Sequence, residues 1–403
     1  MNTTDDLNEA DANHAAPNSV DTDSSSEARR GKSSHGTKGS VPNGTKLWGH
    51  FYVRKMPDNL KELRDIAARY RAAYAEGQRA ALATVMKVRG SSYRRPGARM
   101  LVLDDGETLG SVSGGCLEGD VTRKALFALA IGKPALLVYD THEEAVLGVG
   151  CRGEISVLVE PLTGESTLDE LDGWLARREI GLVATRIRGS RVGARLLLSE
   201  AGTLRDEIGD PQLLADAHAI LAGRRVRPCA DDDVCFEIIR PPPRLVLFGA
   251  GPDAEPVARI ANQLGWHVTV VEVRAGNRTR ARFAHTDAVL CGAPDDVCAQ
   301  ISFGADAAVV IMTHNDHHDR RLLELLVSSP VAYLGLLGPR ERAARLFQGL
   351  GGSERVHAPV GLDIGAETPE EIALSILAEI RASFAGRNGG PLRDRTATIH
   401  SRD

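Results

Sequence analysis

The sequence predicts an α/β protein with a small α+β N-terminal domain followed by a parallel-sheet domain. The main observation is that short apolar segments alternate with helical or loop segments from Arg244 onward, which is typical of a parallel sheet covered by helices. A second observation is that the preceding segment, from about residue 57, combines an amphipathic helix with hairpin signals. A length of 403 residues suits this division, because chains of that size form two or three domains.

Charge and composition exclude several classes of protein. The 49 basic residues are balanced by 54 acidic ones, so the net charge of −5 gives no cationic surface for nucleic acid or anionic lipid. The longest apolar stretch, ALFALAIG from Ala125, is far shorter than the ~20 residues that span a bilayer, and the N-terminus lacks the features of a secretory signal. Six cysteines without a C-x-x-C pair indicate a reduced compartment. We therefore expect a cytoplasmic protein with neither a nucleic-acid nor a membrane partner.

Residues 1–56 are predicted to form a disordered tail. Up to Lys46 the tail contains only four large apolar residues, which bury too little surface to offset the entropy of ordering the chain. The aromatic segment WGHFYVRK at residues 48–55 leaves two alternatives. It either docks on the folded body or is simply the end of the tail.

Residues 57–165 are predicted to form the α+β N-terminal domain. Apolar residues recur at three- and four-residue steps from Leu60 to Tyr74, which indicates a helix. The elements that follow are strands at 81–88 and 98–103, a DDG turn, a third strand at ETLGSVS, a glycine turn continuing into a helix that ends near Ala130, and strands at 135–140 and 154–162.

Residues 166–243 are predicted to connect the two domains through a helix, a strand pair and a second helix, and a triple proline makes a stiff exit. Residues 244–385 form the parallel-sheet domain. Its last helix begins with TPEE, in which Thr368 and Glu371 predict a capping box. Residues 386–403 form a polar tail.

The motif GAGPDA follows the first strand of the parallel sheet and opens a helix. It is a form of the dinucleotide fingerprint, and Glu272 ends the next strand, where an acid hydrogen-bonds a ribose hydroxyl. The combination predicts a Rossmann-like domain. Nucleotide binding stays open, because Pro252 removes one amide that would face a phosphate, and the alternative is a fold that binds something else or nothing. The candidate cofactor-binding residues here are Gly249, Gly251, Asp253 and Glu272.

Two glycine turns carry cysteines. In SGGC, Ser113, Gly114 and Gly115 allow a ligand to approach the backbone, and Cys116 is predicted to lie near a helix N-terminus, whose dipole favours a thiolate that acts as a nucleophile or metal ligand. The alternative is a small buried cysteine beneath a tight turn. A second turn, GVGCRG, contains Cys151, and two such turns in one small domain indicate that both cysteines face one site, so Cys151 is also a candidate cofactor-binding residue. The remaining cysteines lack such a setting and are interpreted as structural: Cys229, Cys235, Cys291 and Cys298.

Two further segments contain clustered polar residues. In GSSYRRPGARM, Arg94, Arg95 and Arg99 suit a phosphate or another anion, and the alternative is a solvated basic loop. Arg95 and Arg99 are the candidate cofactor-binding residues of this segment. THNDHHD lies beyond a strand of the parallel sheet, at the edge where ligands bind in open α/β sheets. Its His314 is a candidate ligand-facing residue. Its histidines and aspartates also suggest a metal site, and the alternative is ordinary loop histidines.

Taken together, these motifs resemble the xanthine dehydrogenase accessory family, also called XdhC/CoxI. The resemblance covers about Ala81 to Ile380 and rests on RRPGARML, GSVSGGCLEGD, GVGC-G, PPPRLVLFGAGPDA, YLGLLGPR-R and HAPVGLDIGAETPEEIALSILAEI. It implies a maturation factor that binds the molybdenum cofactor (molybdopterin), supports its sulfuration by a cysteine desulfurase and delivers it to an apo-molybdoenzyme of the xanthine dehydrogenase type. It also implies that Cys116 is the cofactor-binding thiol and the ligand to the metal. The GVGCRG turn is shorter than the usual family turn.

The leading interpretation is therefore a cofactor-binding chaperone rather than a turnover enzyme. Two alternatives from other classes stay open, an NAD(P)-dependent oxidoreductase that uses the Rossmann-like domain and a scaffold that docks on a target enzyme without holding a cofactor. We also expect a homo-oligomer. Because ligands bind at domain interfaces and at the carboxyl edge of parallel sheets, we expect Cys116 and Gly251 to line one cleft.

Overall fold

A computed structural model describes residues 60–90, 92–140, 153–164, 166–223, 233–273 and 278–396, all within one compact unit, Leu47–Asp403. The described residues confirm the predicted α/β class, with an α+β region first and a Rossmann-like parallel sheet second. Several sequence predictions lie outside them: the tail 1–56 with its aromatic segment, Cys151, Cys229 and residues 397–403.

The N-terminal domain is a five-stranded antiparallel sheet with a helix on each face. Its elements are α1 (Leu60–Ala75), β1 (Ala80–Gly90), β2 (Arg99–Leu103), β3 (Thr108–Gly110), α2 (Glu118–Ile131), β4 (Ala135–Asp140) and β5 (Gly153–Leu162), in the strand order β3-β2-β1-β5-β4. Alternate side chains of a strand point to opposite faces. In β2, Leu101 and Leu103 therefore pack with α1, whereas Met100 and Val102 pack with α2.

The connecting region forms a sheet of its own. Its elements are α3 (Thr167–Arg177), β6 (Gly181–Arg186), β7 (Arg195–Ser199), β8 (Gly202–Asp206), α4 (Pro211–Leu221) and β9 (Val234–Ile239), in the strand order β8-β7-β6-β9. The sequence predicted only the pair β6 and β7. The fully buried Trp174 of α3 packs with α1, so this region shares a core with the N-terminal domain.

The C-terminal domain is a six-stranded parallel sheet with helices between its strands. Its elements are β10 (Arg244–Phe248), α5 (Ala254–Gln263), β11 (His267–Glu272), α6 (Arg278–Arg282), β12 (Ala288–Cys291), α7 (Pro294–Cys298), β13 (Ala307–Ile311), α8 (Asp316–Leu326), β14 (Tyr333–Leu336), α9 (Arg340–Leu346), β15 (Val356–His357) and α10 (Pro369–Phe384). The strand order is β12-β11-β10-β13-β14-β15. The order reverses between β10 and β13, which opens a crevice at their carboxyl ends, where ligands bind in such sheets.

Side-chain contacts fix two helix ends. The capping box predicted for α10 is confirmed, because the Thr368 hydroxyl accepts from the Glu371 amide and the Glu371 carboxylate accepts from the Thr368 amide. At the end of α3, Arg178 pairs with Asp306, which also binds Arg244, so the exit through the triple proline is tied to the first strand of the parallel sheet.

None of the helices in the described ranges combines the length and apolarity needed to cross a bilayer.

Candidate functional site

The SGGC turn is organised by the carboxylate of Glu118, the first residue of α2. Two hydroxyls, those of Ser111 and Ser113, donate to it. Five backbone amides donate to the same carboxylate at 2.8–3.2 Å, those of Val112, Ser113, Gly114, Gly115 and Leu117. Gly114 and Gly115 have φ values of 92° and 119°, which only glycine adopts readily, and these values curl the turn around the carboxylate.

The hydrogen bonds keep Glu118 ionised. Burial alone would raise the pKa of this carboxyl, but hydrogen bonds from the hydroxyl and amide of Ser113 and from the Ser111 hydroxyl outweigh burial and lower the pKa to about 2. The sequence interpretation assigned the positive potential of the helix N-terminus to Cys116. In the structure the amides at that terminus face Glu118, so a side chain of the protein itself already fills the anion position of the turn.

Cys116 lies on the outside of this turn. The residue is exposed and stands two positions before the start of α2. Its neighbour Leu117 is 1% exposed and packs into the core beside Val121, which fixes the turn on the body. The alternative of a buried, purely structural cysteine is therefore wrong for Cys116. Its role as a cofactor-binding thiol and metal ligand stays a prediction.

The arginine-rich loop contacts the SGGC turn. The sequence analysis treated the two segments as separate motifs and did not predict this contact. The Tyr93 ring packs on Gly114: a Cβ atom at Gly114 would lie 2.6 Å from Tyr93 Cδ1. Arg94 Nε donates to the Ser111 carbonyl at 3.0 Å, and its guanidinium forms an ion pair with Glu62 of α1. Loop and turn therefore form one surface, which we call the Tyr93–Cys116 surface (residues 92–95 and 111–118).

The two arginines predicted to bind the cofactor have different settings. Arg95 is half-buried within the Tyr93–Cys116 surface, and its Nε atom is buried without a hydrogen-bond partner in the described part of the chain. Arg99 is buried instead. It donates to the Gly97 carbonyl at 2.9 Å and forms an ion pair with Glu237 of β9 at 2.6 Å, between the first two sheets. These contacts give Arg99 a structural explanation, and its role as a cofactor-binding residue stays a prediction.

In the C-terminal domain, the crevice between β10 and β13 contains the predicted fingerprint. Gly249 has a φ of 129°, and a Cβ atom there would lie 2.3 Å from the Met312 carbonyl oxygen, so only glycine permits β13 to approach this closely. Ala254 is fully buried where α5 packs on the sheet, as the fingerprint requires. The carbonyl of Gly251 accepts a hydrogen bond from Arg282 at 3.0 Å, which places a guanidinium beside the turn.

The crevice also brings two predicted residues together. His314 Nε2 lies 3.4 Å from Asp253 Oδ2, although the two residues follow different strands. His314 has a φ of 56°, an uncommon conformation for a residue other than glycine, and its side chain is 56% exposed. Glu272 lies at the end of β11, where the fingerprint predicted it. Binding of a nucleotide by these residues stays a prediction.

The rest of THNDHHD holds the loop in place. The Asn315 side chain caps α8 by accepting from the amides of His317 and His318. Asp319 is fully buried and binds both the Thr313 hydroxyl and Arg342 of α9, which also pairs with Asp316. Within the described ranges no group of three or more histidine, cysteine or acidic side chains is placed to hold a metal ion, so the metal alternative for this loop is not supported.

A cavity of about 410 Å³ lies where the two domains meet. Residues of α1, of β3 and of the end of α5 line it, including Glu62, Leu109 and Leu264. Neither Cys116 nor Gly251 belongs to its lining. The single cleft that we expected to contain both residues stays a prediction. Glu62 connects this cavity to the Tyr93–Cys116 surface, because it also pairs with Arg94.

Two family descriptions match separate parts of the chain. Residues 73–140 match the family described as XdhC and CoxI, and residues 245–380 match the XdhC Rossmann domain. The chain is 34% identical over 318 residues to a protein of Bacillus subtilis described as a probable xanthine dehydrogenase subunit, covering 77% of this chain and 94% of that relative. It is 26% identical to the molybdenum cofactor insertion chaperone PaoD of Escherichia coli, covering 76% of this chain and 84% of that protein.

A solved structure is also similar. The crystal structure of a protein described as a xanthine dehydrogenase from Bacillus halodurans superposes with a TM-score of 0.69 at 29% sequence identity. The similarity covers 81% of this chain and 96% of that one, so the likeness extends well beyond either domain alone.

Proposed function

Because the chain belongs to the XdhC and CoxI family, we propose that it is a maturation factor that binds the molybdenum cofactor and delivers it to an apo-molybdoenzyme of the xanthine dehydrogenase type. The name of its Escherichia coli relative, a molybdenum cofactor insertion chaperone, supports a role in maturation. The proposal includes sulfuration of the bound cofactor by a cysteine desulfurase and a homo-oligomeric state.

The observation that carries the proposal is the exposed Cys116 on a turn that Glu118 holds rigid. A thiolate is a soft ligand, so Cys116 is the residue that would hold the metal of the cofactor. Because the turn amides are already satisfied by Glu118, little reorganisation is needed when a ligand arrives. An exposed thiol also suits a protein that must release its cargo, since the bound group stays accessible to the receiving enzyme.

The test is the molybdopterin retained by the full chain after loading and gel filtration. We expect Cys116→Ser to fold normally and to lose most of the cofactor, because a serine hydroxyl stays protonated near neutral pH and is a poor ligand for a soft metal. Cys298→Ser is the matched control. Cys298 is half-buried in α7, and burial raises the pKa of its thiol to about 11, so we expect unchanged retention.

The outcome for all three proteins decides the role of Cys116. Equal molybdopterin content in the wild type and both variants would remove Cys116 from the site. Failure of the loaded wild type to activate an apo-molybdoenzyme would contradict delivery.

A second candidate function is an NAD(P)-dependent oxidoreductase. It is favoured by the close approach at Gly249, by Glu272 at the end of β11 and by Arg282 beside Gly251. It is weakened by Pro252, which offers no amide to a phosphate, and by the Asp253 carboxylate at the start of α5. Release of a dinucleotide when the purified protein is denatured would favour this function. Release of molybdopterin instead would favour the maturation factor.

A further inference from the structure

Tyr93 is exposed to an unusual degree for an aromatic residue. Its relative exposure of 76% is the highest of any large apolar or aromatic side chain in the described part of the chain. A tyrosine exposed to this extent leaves most of its ring available to a ligand.

The ring is nevertheless fixed against the SGGC turn. A Cβ atom at Gly114 would lie 2.6, 3.0 and 3.1 Å from Tyr93 Cδ1, Cε1 and Cγ, so the ring occupies the space that a side chain at position 114 would need. Gly114 is therefore required twice, for its positive φ and for the contact with the ring. One side of the ring packs on the turn, and the remainder faces solvent.

Both supports of the ring are rigid. The Gly114 amide donates to the Ser111 hydroxyl oxygen at 3.0 Å and to Glu118 at 3.1 Å, which fixes the turn. On the loop side, Arg94 joins Tyr93 to the same turn through the Ser111 carbonyl and is itself held by Glu62. A ligand that meets the ring therefore meets a surface whose shape is already set, and such preorganisation strengthens binding.

We propose that Tyr93 is the stacking platform for the pterin ring system of the cargo. The inference rests on the proposed function. A pterin is planar and presents a π-face, and exposed aromatic rings bind such faces by stacking. Cys116 lies two residues beyond Gly114, on the same exposed turn. One ligand can therefore bring its ring to Tyr93 and its metal end to Cys116.

The experiment compares molybdopterin retention by the full-length wild type with that of ring variants. We expect Tyr93→Ala to weaken retention by about tenfold, because stacking of a planar heterocycle on an aromatic side chain contributes ~1–3 kcal/mol. Tyr93→Phe keeps the ring, so we expect retention within about twofold of the wild type.

Tyr74→Ala is the matched control, because Tyr74 is a tyrosine that is 56% exposed on α1. It should retain cofactor as the wild type does. A second readout is the absorbance of the bound pterin, which should show the hypochromism of stacking in the wild type and in Tyr93→Phe only. Thermal melting of each variant shows whether it is folded, and Tyr93→Ala should melt as the wild type does since the side chain is exposed.

Three outcomes would overturn the platform. Equal retention and equal absorbance in the wild type and Tyr93→Ala would remove Tyr93 from the site while leaving the proposed function intact. Full retention by Tyr93→Ala with failed delivery to the apo-enzyme would instead make Tyr93 a protein-docking residue. If the wild type itself retains no molybdopterin, cofactor binding is contradicted, and with it the proposal that Tyr93 stacks on the pterin.

Discussion

Replacement of Glu118 by glutamine isolates the charge that organises the SGGC turn. The change keeps the shape of the side chain, but it removes the negative charge and turns one acceptor oxygen into a donor. In the wild type Oε2 accepts from the Gly115 amide at 2.8 Å and from the Leu117 amide at 3.2 Å, and Oε1 accepts from three further amides. Whichever oxygen the glutamine NH2 replaces, amides of the turn then face another donor, which costs free energy.

The magnitude follows from the pKa of Glu118. The pKa falls from an ordinary 4.5 to about 2 on folding. A difference of about 2.5 corresponds to at most ~3.4 kcal/mol of stability at neutral pH. The side chain is only partly buried, so solvent screening reduces the expected effect to about 1–2 kcal/mol. Because the folded pKa is the lower one, this stability is fully present above about pH 5 and disappears as the pH falls through about 2.

The assay is urea denaturation of the full chain at pH 7 and at pH 3, for the wild type and Glu118→Gln. We expect the variant to be less stable by about 1–2 kcal/mol at pH 7 and the difference to shrink at pH 3, where Glu118 of the unfolded chain is already protonated. Glu354→Gln, at an exposed position of the C-terminal domain, is the control and should leave stability unchanged at both pH values. A difference that is absent at pH 7, or equal at both pH values, would refute the reasoning.

Three further changes test other parts of the structure. Arg99→Met leaves the partly buried carboxylate of Glu237 without its ion-pair partner and should lower the free energy of unfolding by about 2–3 kcal/mol, with most of it recovered on adding Glu237→Leu. Loss of molybdopterin retention at unchanged stability would instead restore Arg99 as a cofactor ligand. Gly249→Ala places a Cβ atom against the Met312 carbonyl and should cost about 1–3 kcal/mol in urea denaturation, and no loss would contradict the close approach described for β13. Removal of residues 1–46 should leave the melting midpoint unchanged, and a fall of more than a few degrees would contradict the predicted disorder.

The C-terminal domain could be predicted from the sequence because its signals are local. Each strand is a short apolar run, each helix follows within a few residues, and the fingerprint glycine identifies the turn after β10. The capping box at Thr368 likewise lies within four consecutive residues. The strands β8 and β9 were missed because they complete a sheet through pairing with β7 and β6, and such pairing is not visible in a single short segment.

The candidate site was predicted less completely. The motif SGGC identified the turn, but the role of Glu118 depends on the convergence of five amides, which the φ values of Gly114 and Gly115 create. No capping box marks it in the sequence, because Glu118 is the first residue of α2 and follows the N-cap Leu117 directly. Arg99 likewise depends on a contact that is distant in sequence. Alternation along β2 places it on the same face as Leu101, toward the interior, but its partner Glu237 is 138 residues away.

The two candidate sites share one construction. In each, a glycine-containing or strained turn lies before a helix, and a carboxylate of that helix accepts from the turn. Glu118 accepts from the amides of the SGGC turn, and buried Asp319 accepts from the Thr313 hydroxyl beside His314. In each, one reactive side chain faces outward, the thiol of Cys116 and the imidazole of His314. Because Glu118 already satisfies the amides of the SGGC turn, binding at Cys116 does not require that turn to refold. Under the proposed function, removing an exposed side chain such as Cys116 should therefore change the affinity for the cofactor far more than the stability of the protein.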